Sequence, residues 1–436
     1  MEVNWIIQVG EGVMSSENVL NFIHISDIHF ARTSGDPYDI DEELRQAMLN
    51  DLSNVAKQLF TKVNGIFVCG DLAFSGKAEE YKIACEFLDE ILQIFSLEKN
   101  DIYCVAGNHD VDQSVAKESL AIELVQKQLA LEKEATKLDR LIRKVQNDPI
   151  IEMEGGLLYK QIEEYNRCVT PMACSYTINR PNWSTTMPLN SKYELIIYGM
   201  NSVMTSNYMD HLDDNGHRYA DGTERKMSIN RGQIPKHRDN SVYLSLCHHP
   251  PECWNDESLS TLMDTRVKVQ LYGHKHIQSI EANNQRVRIC SGALHPEREG
   301  DWYPKYNWIQ IWIENEDLIV KIYPRIYTDV DGVFREDVKS CKEHEIYQEY
   351  RITLSGRVEI PEEENMDGGE IRRTTVTTKE IVYLFSVLSD RDKANLLKQF
   401  PMLDYNVTQE IDVLLMQIEL HDLQEAFLLK LKDKRY

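Results

Sequence analysis

Five times along this chain a short apolar run, often β-branched, stops at a cluster of aspartate, asparagine or histidine. FIHIS leads to Asp27 and His29, IFVC to Gly70 and Asp71, and IYCVA to Asn108, His109 and Asp110. SVYLSLC leads to His248 and His249, and VKVQLYG to His274 and His276. Runs of this length and composition read as strands. Between the first three lie LRQAMLNDLSNVAKQLF and YKIACEFLDEILQIF, whose apolar residues recur at helical spacing. Strand, helix, strand, helix, strand is the order of a parallel or mixed sheet with helices on its faces. Loops at the carboxyl ends of such strands gather the reactive side chains, so the five clusters are expected in one crevice.

The 436 residues predict two or three domains, at roughly 100 to 200 residues each. Lys plus Arg number 48 against 71 Asp plus Glu, a net charge of −23, which excludes passive attraction to a nucleic-acid backbone or an anionic membrane as the organising force. Phosphate binding must then be local and metal-assisted. No run approaches the roughly 18 apolar residues of a membrane span, and the acidic N-terminal stretch lacks the basic start of a secretory signal. A cytoplasmic protein with no membrane partner is expected. Nine scattered cysteines without a C-x-x-C pair agree, reading as reduced packing residues.

Residues 1–328 read as one sheet-rich domain. A Lys/Glu/Leu/Ala-rich stretch at about 111–168 reads as a helical insertion of one or two long helices. Residues 329–360 read as a β extension, 361–374 (PEEENMDGGEIRRT) as an acidic linker, and 375–436 as a small all-α domain of three amphipathic helices, beginning at a Thr cap near Glu380.

The clustered residue types suit two divalent cations. Asp71 has two oxygens and can bridge ions about 3.5 to 4 Å apart. Asp27, His29 and His276 would complete one ion, and Asn108, His248 and His274 the other. Imidazole and carboxylate donors without thiolate fit manganese first, with iron, zinc or a mixed pair as alternatives. Such a pair screens phosphoryl oxygens and brings a bridging water toward a pKa of about 7. His109, assigned to no metal, is the candidate for protonating the leaving group, with Asp110 expected to orient it.

Taken in order, these segments give D-x-H, G-D, G-N-H-D, H and G-H-x-H, and the chain resembles the calcineurin-like metallophosphoesterase superfamily over about residues 20–325. The resemblance implies a four-layered αββα sandwich in the α/β class. It also implies a dinuclear centre with Asp27, His29, Asp71 and His276 on one metal and Asp71, Asn108, His248 and His274 on the other. Taking His248 over His249 follows the H-x-P form of the family. One departure is Phe74, which stands where many members carry an aspartate that pairs with the catalytic histidine. Asp110 replaces that carboxylate, or His109 is less polarised.

The function expected is a phosphodiesterase acting on a nucleotide or nucleic acid, attacked by a metal-bridging hydroxide. The fused helical tail resembles the architecture of prokaryotic defence components. The alternatives are a phosphomonoesterase or phosphoprotein phosphatase, and a metal-stabilised scaffold recruiting a partner or a second copy through the C-terminal helices. A nuclease needs a local basic strip, for which Lys137, Arg140, Arg143 and Lys144 are candidates. Of the remaining residues, His249 is expected beside Pro250 or behind the ligands, Trp254 in packing, His24 as a satisfied core histidine, and Asn201 and Ser202 at the pocket rim.

Overall fold

The computed structural model describes residues 19–31, 42–60, 62–147, 156–177, 180–210, 226–294, 303–341 and 345–354, and parts of 381–433. The apolar runs become strands because their alternate residues have two cores to fill. In β6 (Ser241–Cys247), Val242, Leu244 and Leu246 enter the main core while Tyr243 and Cys247 face a second cluster on the other side. Full burial of a leucine such as Leu244 is worth about 1.5–3 kcal/mol, so a slip by one residue is prohibited on both faces.

The first sheet runs β12–β11–β10–β1–β2–β3 among the described residues. Its strands are β1 (Leu20–Ile25), β2 (Gly65–Val68), β3 (Ile102–Cys104), β10 (Lys305–Glu314), β11 (Asp317–Thr328) and β12 (Val333–Glu336). Strands β1, β2 and β3 are parallel, and the later ones join antiparallel. Strand β13 (Gln348–Thr353), from the expected β extension, also pairs with β11.

The second sheet runs β4–β5–β6–β7–β9–β8, with β4 (Trp183–Pro188), β5 (Glu194–Gly199), β7 (Val267–Tyr272), β8 (Ser279–Ala282) and β9 (Val287–Cys290). The two sheets meet through one hydrophobic core. Tyr103 of β3 stacks on Trp183 of β4, and the Trp183 indole donates to the Cys104 carbonyl at 3.1 Å. Outside the first sheet lie α1 (Glu42–Leu59) and α2 (Ala78–Phe95), where Phe95 packs on Trp308 and Asp51 binds Arg325 of β11. Outside the second lie α5 (Ala135–Gln146) and α7 (Ser258–Arg266), whose Ala135, Leu259 and Met263 pack with Met200, Cys247 and Tyr272. Helix, sheet, sheet, helix is the four-layered sandwich of the α/β class.

The insertion is not one or two long helices. Among the described residues it breaks into α3 (Gln113–Glu118), α4 (Leu120–Leu131), α5 and α6 (Glu163–Val169). Short polar side chains cap the first two: the Asp112 carboxylate accepts from the Ser114 N–H at 3.0 Å, and Ser119, in extended backbone, accepts from Ile122. The cysteines are free thiols, those at 69, 104, 174, 247 and 290 being buried.

The chain divides into two compact units, 1–356 and 357–436. In the second, α8 (Asp390–Leu397) and α9 (Gln424–Asp433) contribute to a cluster in which Ile381, Phe385, Leu396, Phe400 and Phe427 are buried together. The expected linker 361–374 and the Thr cap lie outside the described residues. No described helix is long and apolar enough to cross a membrane.

Candidate metal centre

Every cluster flagged by the sequence sits just past the carboxyl end of its strand. Asp27 and His29 follow β1, Asp71 follows β2, Asn108 to Asp110 form a single 3-10 turn after β3, His248 follows β6, and His274 and His276 follow β7. Because β1, β2 and β3 are parallel, as are β6 and β7, these ends lie along one edge of the sandwich.

The backbone there is unusual. Asp27, His29, Asp71, His274 and His276 all hold positive φ, between 52° and 70°. For residues with a Cβ this costs roughly 1–2 kcal/mol each, strain that the loops keep because it turns the side chains inward. Glycines supply the remaining room. A Cβ on Gly107 would lie 2.0 Å from Asp71 Oδ1, and one on Gly273 would lie 2.1 Å from Ser26 Oγ and 2.9 Å from Asp27 Oδ2. On Gly70 it would meet His248 Nδ1 at 2.5 Å.

The side chains converge. Asp27, His29 and His276 place ligand atoms within 4.8 Å of one another, as do Asp27, Asp71 and His248. His276 Nε2 is 3.4 Å from Asp27 Oδ1, His29 Nε2 is 3.7 Å from Asp71 Oδ2, and His248 Nε2 is 3.3 Å from that same Asp71 oxygen. Asn108 Oδ1 lies 3.0 Å from His248 Nε2 and 3.1 Å from His274 Nδ1. Asp71 is thus shared between the two groups, one with Asp27, His29 and His276 and one with Asn108, His248 and His274.

The electrostatics call for positive charge. Asp27 and Asp71 are buried, and burial pushes their carboxyls up, yet neighbouring histidines, His276 foremost for Asp27 and His248 for Asp71, hold both below the ordinary range. Among the described residues no lysine or arginine neutralises them. Burial presses His248 down, but the adjoining Asp71 charge outweighs it and pushes the imidazole up to about 10, so a proton there does part of the work of a cation. Burial lowers His29 to about 4, leaving it a neutral nitrogen donor. Carboxylate oxygens, imidazole nitrogens and an amide oxygen around a buried negative pair fit two divalent cations.

His109 and Asp110 part company. His109 Nδ1 donates to the main-chain carbonyl of Phe74 at 2.8 Å, while its own N–H donates to Asp71 Oδ1 at 2.8 Å. The acceptor expected from a carboxylate is therefore supplied by the backbone of the same position. Asp110 does not orient His109. Its carboxylate turns inward to accept from the N–H groups of Ala73 and Gly107, at 3.0 and 2.9 Å, and from the Tyr81 hydroxyl at 3.0 Å. Burial, reinforced by Asp71, pushes that carboxyl up to about 6. Glu80 clasps the other side of the turn, accepting from the Ser75 N–H at 2.9 Å. Asp110 and Glu80 together aim the Phe74 carbonyl.

Other expectations shift. Ser202 and Asn201 are buried supports and do not line the rim: Ser202 Oγ is 2.8 Å from His249 Nδ1, and Asn201 Oδ1 accepts from the Val203 N–H. His249 adjoins the ligands: its ligand atom lies within 4.8 Å of those of His248 and His274, and its ring is 4.4 Å from that of His274. Trp254 is buried and donates to the His249 carbonyl at 2.9 Å. His24 is buried but only half satisfied, with Nδ1 3.4 Å from Asn307 Nδ2 and no partner for Nε2 among the described residues. The roles of Tyr81, Glu80 and Ser202 had no local signal, because each acts through a contact distant in sequence or through the main chain.

Residues 20–278 match the model of the calcineurin-like phosphoesterase family. The metallophosphoesterase-like protein YydB of Bacillus subtilis (strain 168) is 21% identical over 313 residues, which make up 70% of this chain and 59% of that protein. The chain thus spans less than two thirds of that relative's length. Among solved structures it is similar to purple acid phosphatase PPD1 of yellow lupin, with TM-score 0.35 and 12% identity over 77% of this chain and 54% of that one. It is also similar to GAP50 of Plasmodium, with TM-score 0.37 and 13% identity over 78% and 90%. The family model covers well over half of the residues, and this chain belongs to the calcineurin-like phosphoesterase family, whose members are metal-dependent phosphoester hydrolases.

Proposed function

We propose that the chain is a dinuclear phosphodiesterase whose substrate is a nucleotide or nucleic acid. Asp27, His29, Asp71 and His276 would hold one cation, and Asp71, Asn108, His248 and His274 the other. Manganese is the first choice. When bound, the pair supplies charge that screens the phosphoryl oxygens and acidifies water. The observation that carries the reading is the convergence of these donors on the shared Asp71, with His109 close enough that its ligand atom lies within 4.8 Å of those of His29 and Asp71.

The chain's own residues do the remaining work. The Phe74 carbonyl takes the Nδ1–H of His109, which leaves Nε2 as the nitrogen that exchanges a proton, and the doubly protonated ring would give its Nε2 proton to the leaving oxygen and return to the Nδ1–H form. The Phe74 ring is 50% exposed and 5.4 Å from the His109 ring, which sets an aromatic surface on the leaving-group side. That favours a nucleoside leaving group. A diester brings one negative charge where a monoester brings up to two, which favours the diester in a chain of net −23. The second unit, with its own buried cluster, serves in this reading as a module for a protein partner or a second copy, an architecture that fits a cytoplasmic defence system.

The test is hydrolysis of bis(p-nitrophenyl) phosphate against p-nitrophenyl phosphate with added manganese, using Asp71→Asn as control. The diester is expected to be preferred and the control inactive. Preference for the monoester overturns the substrate class, and an active control overturns the metal centre.

A further inference from the structure

We propose that a basic groove on the outer face of the second sheet binds single-stranded nucleic acid through its phosphates; the choice of occupant rests on the nucleotide reading above. The groove has a volume of about 600 Å³, and Arg231, Lys236, Arg238, Arg266, Tyr198 and Tyr243 are among the residues that line it. Four cations in one groove stand out in a chain of net charge −23, which otherwise repels a phosphate backbone.

Their carboxylate neighbours are accounted for. Asp139 of α5, which also lines the groove, is occupied by Asn230 Nδ2 and by the Gly232 N–H at 3.1 Å. Glu194 pairs with Arg238 at 3.0 Å. Arg266 is fixed by donating to the Pro235 carbonyl at 2.9 Å. Arg231 and Lys236 are exposed and make no ion pair or hydrogen bond with their side chains among the described residues. They are the free charges of the groove.

The floor suits bases. Tyr198 and Tyr243 are half-buried, with ring centroids 6.4 Å apart and planes at 82°, so each fixes the other while part of its surface meets the groove. Ser184 and Thr186 present hydroxyls along the exposed side of the edge strand β4. Exposed Arg143 lies one helical turn beyond Asp139 on α5 and extends the basic strip. The floor also includes a strand that ends at the metal centre: Tyr243 of β6 precedes His248 by five residues, about 16 Å along the strand. A chain held by its phosphates in the groove is thereby kept close to the reactive edge.

The experiment is fluorescence anisotropy of a labelled single-stranded oligonucleotide with the full chain in EDTA, which keeps binding separate from hydrolysis. Binding should weaken with salt. The double variant Arg231→Gln, Lys236→Gln should lose about 25-fold in affinity at 0.1 M salt and lower the log–log salt slope by about 1.4, at roughly 0.7 per phosphate. Its manganese-dependent hydrolysis of bis(p-nitrophenyl) phosphate should equal that of the parent. Tyr243→Ala should weaken binding at least about 5-fold, and inorganic tripolyphosphate should compete poorly. Unchanged affinity in the double variant overturns the groove. Full competition by tripolyphosphate, with no effect of Tyr243→Ala, overturns the nucleic-acid occupant. Intact binding without any diester hydrolysis sinks the phosphodiesterase reading and leaves the groove standing.

Discussion

Replacing Gly107 by alanine adds a single methyl group at the point where the two candidate metal groups share an oxygen donor. The new Cβ would lie 2.0 Å from Asp71 Oδ1, 2.7 Å from its Cγ and 2.5 Å from its main-chain nitrogen. Comfortable contact between heavy atoms begins near 3.5 Å, so about 1.5 Å of separation must be created. Asp71 cannot supply it freely. The same Oδ1 accepts from the His109 N–H at 2.8 Å, the other oxygen faces His248 at 3.3 Å, and the side chain is buried. The alternative is to move the turn from Gly107 to Asp110, which carries Asn108 and His109 with it.

Either response displaces a donor by more than the roughly 0.2 Å that coordination distances tolerate. A 1 Å error in a reacting geometry costs about 10²-fold, so kcat/KM for bis(p-nitrophenyl) phosphate should fall at least about 100-fold in Gly107→Ala. Manganese affinity by titration calorimetry should fall by about 10- to 100-fold or more. Overpacking should cost about 1–3 kcal/mol in urea unfolding. Gly156→Ala is the comparison: its Cβ would meet nothing within 4 Å although φ is +80°, so it should lose about 1–2 kcal/mol and bind manganese as the parent does. A folded Gly107→Ala protein with parental manganese affinity and rate would refute the reasoning.

Tyr81→Phe removes one donor from the buried Asp110 carboxylate, and should cost about 1.5–3 kcal/mol in urea unfolding and lower kcat through the loosened Phe74 turn; a change under about 0.5 kcal/mol with unaltered kcat argues against that linkage. Arg325→Met strands Asp51, which accepts from Arg325 Nε and Nη2 at 2.9 and 2.6 Å within the buried interface of α1 with β11, so a loss of about 3–5 kcal/mol is expected by the same measurement. Burial pushes the Asp337 carboxyl up, but Lys305 at 2.6 Å and Ser340 outweigh it and hold it below its ordinary value of 3.8. A depressed carboxyl contributes stability that is full above the unfolded value and lost as acid titrates the folded group. Lys305→Met should therefore flatten the fall in stability below about pH 5, and an unaltered acid limb in urea midpoints against pH would count against the pair.

The placement of the candidate donors was legible because such residue types are few in kind and the strands that carry them are short. Asp27 and His29, or His274 and His276, needed only an apolar run before them to be placed at a strand end. The insertion was less legible. Its Leu, Lys and Glu content favours helix throughout, and the breaks at Asp112 and Ser119 depend on local capping that competes with the helix only once the packed segments leave no room for a straight rod. Asp110 was misread for a related reason. A carboxylate beside a catalytic histidine in sequence need not face it in space, and in a 3-10 turn neighbouring side chains diverge.

What the linear order of residues determined by itself was the alternation of strand and helix, the donor set at the strand ends and the acidic balance. These follow from residue type and periodicity, which act locally. Tertiary structure alone decided that the Phe74 carbonyl serves His109, that Tyr81 and Glu80 hold the turn aiming it, and that Arg231 and Arg266 meet in one groove. Main-chain acceptors look the same at every position in a sequence. Which one meets a given histidine is settled only when distant segments pack against each other and every buried donor must find a partner.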